Sequence, residues 1–252
     1  MYFNSNNTII YYEKYGTKKD TILILPGWGN NRETFHYIIN ELKEKYTIYI
    51  VDYPGLGKSP IPKHALTIYN YAELIIDFMN KLNINNPIII AHSFGGRITT
   101  LLTGYYKLKI DKLVLIDIAS IKPKKNLKKL IKEKIYKILK KTIKILPQKK
   151  YEKYRNKLLK HFASSDYLNL PPNMHETFKN IINEDLTKYI KYIKSETIII
   201  WGEHDKDTPL SDAYKIKKSI KNSALIILKK ASHFSYLQYP YLVNQILKEF
   251  LK

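Results

Sequence analysis

Short apolar runs alternate along this chain with longer stretches in which apolar residues recur every three or four positions. The runs are rich in isoleucine and carry few polar residues, which is typical of strands buried on both faces of a sheet. They predict strands over residues 9–15, 21–25, 47–51, 87–91, 112–116, 197–201 and 224–228. Helical spacing predicts helices over 32–44, 66–82, 97–102 and 241–251. This alternation predicts an α/β fold with a mostly parallel sheet flanked by helices on both faces.

The strand–helix alternation stops between residues 121 and 184. We therefore predict a core made of residues 1–120 and 185–252, interrupted by a helical insertion over 121–184. Residues 122–160 contain seventeen Lys and Arg against two Glu, so +15 of the formal charge of +21 lies there. Most of the lysines lie off an apolar stripe at helical spacing, formed by Leu127, Leu130, Ile131, Ile135, Ile138, Leu139 and Ile143. Two interpretations stay open: a solvated amphipathic helix whose stripe covers a pocket, or a surface attracted to anionic lipid or an acidic carrier.

The segment Ala91-His92-Ser93-Phe94-Gly95-Gly96 directly follows the apolar run at 87–90. A serine between a buried strand and a helix, with small residues two positions before and after it, is typical of a nucleophile elbow. Ala91 and Gly95 are those small residues. An ordinary strand–loop–helix junction with an incidental serine is the alternative, because a serine hydroxyl is a weak nucleophile without a base and an orienting acid.

Acid and base candidates follow later strands in the order expected for an elbow serine. Asp205 comes just after the run at 197–201, and His233 comes just after the run at 224–228. Both lie past strand carboxyl ends, where parallel α/β sheets place their sites. The rival acids are Asp117 and Asp207, and the rival bases are His92 and His204.

These features resemble the α/β-hydrolase superfamily, in particular its lid-bearing serine esterase-like group, over essentially the whole chain. Besides the elbow, the matching segments are Leu25–Gly29, Asp52–Ser59, Trp201–Pro209 and Ser232–Phe234. Pro26 stands where many relatives carry histidine, and Ala91 replaces the usual first glycine of the elbow. Neither departure removes a catalytic group. The resemblance implies an eight-stranded sheet and identifies residues 121–184 as an α-helical lid.

The resemblance also implies roles for individual residues. Ser93 would be the nucleophile, His233 the base and Asp205 the acid, since Gly202 and Pro209 flank Asp205 as in the family pattern. The backbone N–H groups of Trp28 and Phe94 would form the oxyanion hole. The expected activity is hydrolysis of a small-molecule ester, thioester or lysolipid through an acyl-enzyme. The alternatives are a C–C bond hydrolase or lyase using the same triad, and a hydrolase-fold ligand receptor with slow turnover.

Composition limits the cofactors, the cellular location and the binding partners that we expect for this protein. The chain contains no cysteine, so disulfides and thiolate metal sites are excluded, and we expect neither a metal nor a cofactor. No signal-peptide pattern is visible at the N-terminus, and apolar runs are far too short to span a bilayer, so we expect a cytoplasmic enzyme. Only three of the 43 basic residues are arginine, and no nucleic-acid-binding motif appears, which disfavours a nucleic-acid partner.

Overall fold

The structure is a computed structural model that describes residues 1–29, 32–122, 127–163 and 165–252, with only the backbone described at 127–130, 133, 165 and 166. The strands are β1 (Tyr2–Ser5), β2 (Thr8–Tyr15), β3 (Thr21–Leu25), β4 (Thr47–Asp52), β5 (Ile88–His92), β6 (Lys112–Ile116), β7 (Glu196–Gly202) and β8 (Ser223–Leu228). The α-helices are α1 (His36–Leu42), α2 (Ile68–Lys81), α3 (Phe94–Thr100), α4 (Leu127–Thr142), α5 (Gln148–Phe162), α6 (Ser165–Leu168), α7 (His175–Asn183), α8 (Thr187–Ile190), α9 (Leu210–Ser219), α10 (Ser235–Gln238) and α11 (Pro240–Phe250).

The eight strands form one mixed sheet in the order β1-β2-β4-β3-β5-β6-β7-β8. The six strands from β4 to β8 in this order are all parallel, whereas β1 and β2 join one edge through antiparallel pairings. The mostly parallel eight-stranded sheet expected from the sequence is therefore confirmed. The strand that the apolar pattern did not predict is β1, because its residues Tyr2–Ser5 show no buried run and pair only along the edge.

Successive residues of the central strands point into two separate apolar layers. In β3, Leu23 and Leu25 belong to the layer that contains α2 and α3, and Ile22 and Ile24 belong to the layer that contains α1 and α11. All four are fully buried. Burial on both faces explains why the parallel strands are apolar at every position rather than at alternate positions.

The chain reverses its direction of progress across the sheet between β3 and β5. From β3 it moves outward to β4, then returns past β3 to β5 and continues through β6, β7 and β8. Loops that leave the carboxyl ends of strands at such a switch point diverge and open a crevice, where open α/β sheets bind their ligands. The loops after β3 and β5 hold the predicted oxyanion residues and the predicted nucleophile.

The chain divides into two compact units. The first comprises Met1–Lys122 and Asn180–Lys252 and contains the whole sheet, and the second comprises Pro123–Lys179. The second unit contains the long helices α4 and α5, a 3₁₀ turn at Ile143–Ile145 between them, and shorter helices after them. Of the predicted stripe, the side chains of Leu127 and Leu130 lie outside the described residues. The role of residues 121–184 as a lid stays a prediction.

Across the described ranges, no helix combines the length and apolar character that crossing a membrane would require.

Candidate active site

Ser93 lies at the turn between β5 and α3, and its backbone is strained. Its φ of 47° and ψ of −109° fall in a region that costs a non-glycine residue on the order of 1–3 kcal/mol. Neighbouring backbone fixes the turn: the Ser93 N–H donates to the Ile116 C=O at 3.2 Å, and the Ser93 C=O accepts from the N–H groups of Gly96 and Ala119, each at 3.0 Å. The end of β6 thus holds Ser93 in the conformation expected of a nucleophile elbow.

Gly95 allows the elbow helix to approach the loop after β3 closely. A Cβ atom at this position would lie 1.9 Å from the Leu25 carbonyl oxygen and 2.9 Å from that of Pro26. Both neighbours are backbone atoms, which cannot move aside cheaply. Glycine at this position therefore keeps the loop that contains Trp28 against the start of α3.

We expect Gly95→Ala to lower the free energy of unfolding by about 3 kcal/mol, because the added methyl group must displace backbone in a packed region. Urea denaturation measures this change directly. Gly29→Ala is the matched control, since a Cβ there meets nothing within 4 Å and only its φ of 71° is unfavourable. That control should lose only about 1 kcal/mol. A Gly95→Ala protein as stable as the wild type would contradict the close approach of α3 to β3.

The His233 ring bridges Ser93 and Asp205. His233 Nε2 lies 2.8 Å from Ser93 Oγ, and His233 Nδ1 lies 2.8 Å from Asp205 Oδ2. The Asp205 carboxylate can only accept, so Nδ1 carries the proton, and Nε2 is left to accept from the Ser93 hydroxyl. The arrangement is suited to removing a proton from Ser93.

Asp205 is buried at the end of β7 and is held by its own loop. Its Oδ1 accepts from the N–H groups of Asp207 at 2.8 Å and Thr208 at 2.9 Å, and its Oδ2 accepts from the Thr208 hydroxyl at 2.6 Å. Burial by itself would raise the pKa of Asp205, but the hydrogen bonds from His233 and Thr208 outweigh it and lower the pKa below its ordinary value. Asp205 is therefore ionised and oriented toward His233.

The pKa of His233 has moved in the opposite direction. Burial favours the neutral ring, but the hydrogen bond and negative charge of Asp205 outweigh that effect and raise the pKa above the ordinary 6.5. An imidazole must be neutral to accept a proton from Ser93. Because the pKa of His233 is raised, its ring becomes protonated at a higher pH than an ordinary histidine would, and a reaction that uses it as the base stops at that higher pH.

We expect kcat/KM to fall on the acid side with a midpoint above 6.5, because this profile reports the free enzyme's essential base. In Asp205→Asn burial remains while the largest effects that raise the pKa of His233, the hydrogen bond to Asp205 as a carboxylate and its negative charge, are lost, and only the weaker charges of Asp117 and Asp207 still raise it. The midpoint should therefore move to lower pH. The measurement is a pH profile of ester hydrolysis for both proteins. A midpoint that does not move in Asp205→Asn would mean that another group controls the acid limb.

Asp117, the rival acid after β6, bonds to backbone and to a serine rather than to His233. It is fully buried, its Oδ1 accepts from the Gly202 N–H at 2.8 Å, and its Oδ2 accepts from the Ser235 hydroxyl at 2.6 Å. Burial raises the pKa of Asp117 to about 7, although these hydrogen bonds oppose the rise. Asp117 thus joins the end of β7 to the start of α10.

Gly202 makes room for the same junction. A Cβ atom at Gly202 would lie 2.3 Å from the Ser232 carbonyl oxygen, so only glycine lets β7 end beside the loop that holds His233. The loops that contain Asp205 and His233 are therefore in backbone contact.

The other rival residues occupy distinct places. His204 is exposed beside Asp205. His92 is fully buried, and its Nε2 donates to the His233 carbonyl oxygen at 2.8 Å, so it holds the backbone of His233 rather than the Ser93 hydroxyl. Burial lowers the pKa of His92 to about 3, which keeps its ring neutral. Asp207 is exposed, and one of its carboxylate oxygens lies within 4.8 Å of a His233 ring nitrogen.

Three side chains at this site could in principle hold a metal ion. Among the described residues, one oxygen each of Asp205 and Asp207 and one ring nitrogen of His233 lie within 4.8 Å of one another. Two of these three residues already share a 2.8 Å hydrogen bond. We interpret the group as an acid–base pair with a neighbouring carboxylate. The expectation of no metal and no cofactor stays a prediction.

Trp28 and Phe94, whose N–H groups are the predicted oxyanion donors, lie side by side after β3 and β5. Their rings meet edge to face with centroids 5.2 Å apart. Phe94 is the first residue of α3, so its N–H has no acceptor within the helix. An N–H at a helix start also benefits from the positive end of the helix dipole.

Sequence reasoning did not single out Thr208, Ser235 or a positioning role for His92. Thr208 alone has a visible sequence signal, because a threonine three residues after an aspartate can bond back to its carboxylate. Ser235 and His92 act through contacts between loops that are distant in sequence. His92 bonds to His233 and Ser235 bonds to Asp117, and these pairs come together only because the sheet places the ends of their strands side by side.

Comparisons with known proteins agree with this architecture. The profile of the alpha/beta hydrolase fold family matches residues 20–240. Over 261 residues the chain is 28% identical to a pimeloyl-acyl-carrier-protein methyl ester esterase of Wigglesworthia glossinidia brevipalpis, with 96% of this chain and 97% of that protein covered. Over 266 residues it is 23% identical to 2-hydroxy-6-oxononadienedioate/2-hydroxy-6-oxononatrienedioate hydrolase 1 of Pseudomonas putida, with coverages of 96% and 91%.

Among solved structures, the enol-lactonase from Burkholderia xenovorans aligns with a TM-score of 0.77 at 18% identity, covering 100% of this chain and 99% of that one. At this identity the likeness concerns the fold. Since the family profile spans most of the sequence and the sheet has the corresponding topology, the chain belongs to the α/β-hydrolase fold family.

Proposed function

We propose that this protein is a serine hydrolase that cleaves a carboxylic ester through an acyl-enzyme on Ser93. The observation that carries the proposal is the unbroken chain of hydrogen bonds from Ser93 Oγ through His233 to Asp205, with both distances at 2.8 Å. A nucleophile in a strained turn, a base with a raised pKa and an ionised acid each meet a requirement of acyl transfer.

In the first half of the proposed reaction, Ser93 Oγ attacks the ester carbonyl carbon while His233 Nε2 takes the hydroxyl proton. The bond from the carbonyl carbon to the alkoxy oxygen then breaks, and His233 gives its proton to the departing oxygen. Asp205 keeps the ring oriented through Nδ1 and stabilises its protonated form. The alcohol leaves, and the acyl group stays on Ser93.

In the second half, His233 takes a proton from a water molecule that attacks the acyl carbonyl. The bond to Ser93 Oγ breaks, the carboxylic acid leaves, and the proton returns to Ser93. Both tetrahedral intermediates carry a negative oxygen, for which the N–H groups of Phe94 and Trp28 are the proposed donors. Loss of one such donor generally costs ~3 kcal/mol of transition-state stabilisation.

The names of two relatives describe different reactions. The Wigglesworthia protein is an esterase for a methyl ester, and the Pseudomonas protein is a hydrolase of 2-hydroxy-6-oxononadienedioate and 2-hydroxy-6-oxononatrienedioate. We favour an ester because this chain is 28% identical to the esterase and 23% identical to the Pseudomonas hydrolase, and because the match spans 97% of the esterase against 91% of the hydrolase. Cleavage of a C–C bond by the same triad is the second candidate, supported by the Pseudomonas relative. The inserted residues 121–184 remain our proposed lid.

A panel of nitrophenyl esters with short, medium and long acyl chains tests the proposal, alongside a fluorophosphonate inhibitor and a 1,5-diketone as C–C substrate. We expect kcat/KM of on the order of 10⁴ M⁻¹s⁻¹ or more for at least one ester, which is the low end for enzymes, and complete inactivation by one equivalent of inhibitor. Cleavage of the diketone without ester turnover would replace the proposal with the C–C hydrolase. Ligand binding without turnover of either substrate would favour a receptor.

A further inference from the structure

The second unit contains a helical hairpin, made of α4, the turn after it and α5, which we call the basic hairpin (residues 127–162). Its helices meet through one side of α4. The rings of Tyr136 and Phe162 lie 5.4 Å apart, and Lys132 Nζ lies 5.5 Å from the centre of the Phe162 ring. Leu139 and Ile143 line a cavity of about 370 Å³ with residues of α5. This side of α4 therefore has its partner within the hairpin.

A second apolar side of α4 is largely exposed among the residues that the structure describes. Ile131, Ile135 and Ile138 lie four and three positions apart, which places them on one face of the helix. Their exposed fractions are 51%, 45% and 54%. Ile145, in the turn at the tip of the hairpin, is 88% exposed. The single stripe expected from the sequence is thus two stripes, one packed against α5 and one open.

Lysines flank the open stripe. Lys134 and Lys141 follow Ile131 and Ile138 by three positions and so lie next to the stripe, and Lys137 continues the same row of lysines one step farther from the isoleucines. All three are exposed. The whole basic hairpin contains fourteen Lys and Arg against two Glu, so its net charge is +12. An uncovered aliphatic face edged by lysines combines the two features that hold a helix at a lipid interface.

We propose that the basic hairpin is a docking surface for an anionic membrane, with Ile131, Ile135, Ile138 and Ile145 entering the headgroup region and the flanking lysines contacting lipid phosphates. A membrane of anionic lipids offers phosphates at its surface and an apolar layer directly beneath them, which matches lysines beside exposed isoleucines. Long lysine side chains can keep their ammonium groups at the headgroups while the isoleucines enter the apolar layer. The 16-residue α4 would lie flat along the surface.

Co-sedimentation with vesicles tests the proposal on the full-length protein and does not depend on any catalytic activity. Vesicles of phosphatidylcholine with phosphatidylglycerol should bind the protein at low salt, and vesicles of phosphatidylcholine alone should not. Binding should be lost at 1 M salt, where the Debye length falls to about 3 Å. Equal binding to both kinds of vesicle would overturn the proposal.

Two sets of variants separate charge from insertion. The triple change Lys134→Gln, Lys137→Gln and Lys141→Gln should weaken partitioning roughly a hundredfold, since each lysine near such a surface contributes about fivefold. The triple change Ile131→Ser, Ile135→Ser and Ile138→Ser should weaken it by roughly tenfold or more for each residue that inserts. All six positions are exposed, so both proteins should keep the wild-type melting temperature.

The matched control is Lys18→Gln, Lys19→Gln and Lys45→Gln, which removes the same charge from exposed positions of the first unit. It should bind vesicles as the wild type does. If this control loses as much vesicle binding as the α4 lysine variant, the attraction comes from the net charge of the whole protein, and the proposal of a docking surface on the basic hairpin is wrong. If the serine variant keeps full binding, the isoleucines do not insert, and an acidic macromolecule becomes the better partner for the lysines.

Discussion

The Ser93→Ala enzyme should hydrolyse esters about 10⁶-fold more slowly than the wild type in kcat, as expected when the nucleophile of a triad is removed. A fluorophosphonate probe should label the wild type and leave Ser93→Ala unlabelled. The effect should be this large because without the Ser93 hydroxyl, which lies 2.8 Å from His233 Nε2, the acyl-enzyme on which both halves of the proposed reaction depend cannot form. The measurement is steady-state hydrolysis together with gel-based probe labelling.

Ser232→Ala is the matched control for that variant. Ser232 precedes His233, and its hydroxyl bonds only weakly to Gln238, at 3.2 Å. Turnover should stay within a few-fold of the wild type. Undiminished hydrolysis in Ser93→Ala, or probe labelling that persists in it, would show that Ser93 is not the nucleophile.

Asp205→Asn should lose about 10⁴-fold in kcat while the protein stays folded. The amide can donate as well as accept, so it can pair with the wrong tautomer of His233 and turn an N–H toward Ser93. It also removes the charge that stabilises the protonated ring during the reaction. Steady-state kinetics give the loss, and the pH profile gives the accompanying fall of the His233 pKa.

Asp117→Asn and Asp207→Asn are the controls for the identity of the acid. Asp117 accepts hydrogen bonds from the Gly202 N–H and from the hydroxyl and N–H of Ser235. An amide can keep the first and can donate to the serine hydroxyl, so only the longest bond, from the Ser235 N–H at 3.3 Å, is lost. Asp207 is exposed, and its N–H rather than its carboxylate holds Asp205. Both variants should keep activity within about tenfold. A crippled Asp117→Asn beside an active Asp205→Asn would place the acid after β6 instead of β7.

Strands and the elbow could be predicted from the sequence because their signals are local. A strand buried on both faces must be apolar at consecutive positions, and the elbow requires a small residue two positions after Ser93. Gly95 shows the physical reason, since its missing side chain leaves room for the Leu25 carbonyl. β1 escaped prediction because an edge strand that pairs on one side does not need a buried run.

The position after a strand does not by itself choose among Asp117, Asp205 and Asp207. Only the family resemblance, through Gly202 and Pro209, favours Asp205 at the level of sequence. Each follows a strand or shares its loop, and each carries the same group. The alignment of β6, β7 and β8 decides which carboxylate meets His233, and this depends on contacts between residues far apart in the chain, such as Gly202 with Ser232. Similarly, the division of the α4 stripe depends on which side α5 contacts.

The most direct test of the central claim is the mass of the enzyme after rapid acid quenching of its reaction with an activated nitrophenyl ester. An acyl-enzyme on Ser93 predicts a mass increase equal to the acyl group, located by peptide fragmentation to Ser93 and absent from Ser93→Ala. An acyl group on another residue would contradict the account. So would ester turnover on the millisecond scale if no acylated enzyme is found at any quench time, either in the wild type or in the slower Asp205→Asn variant.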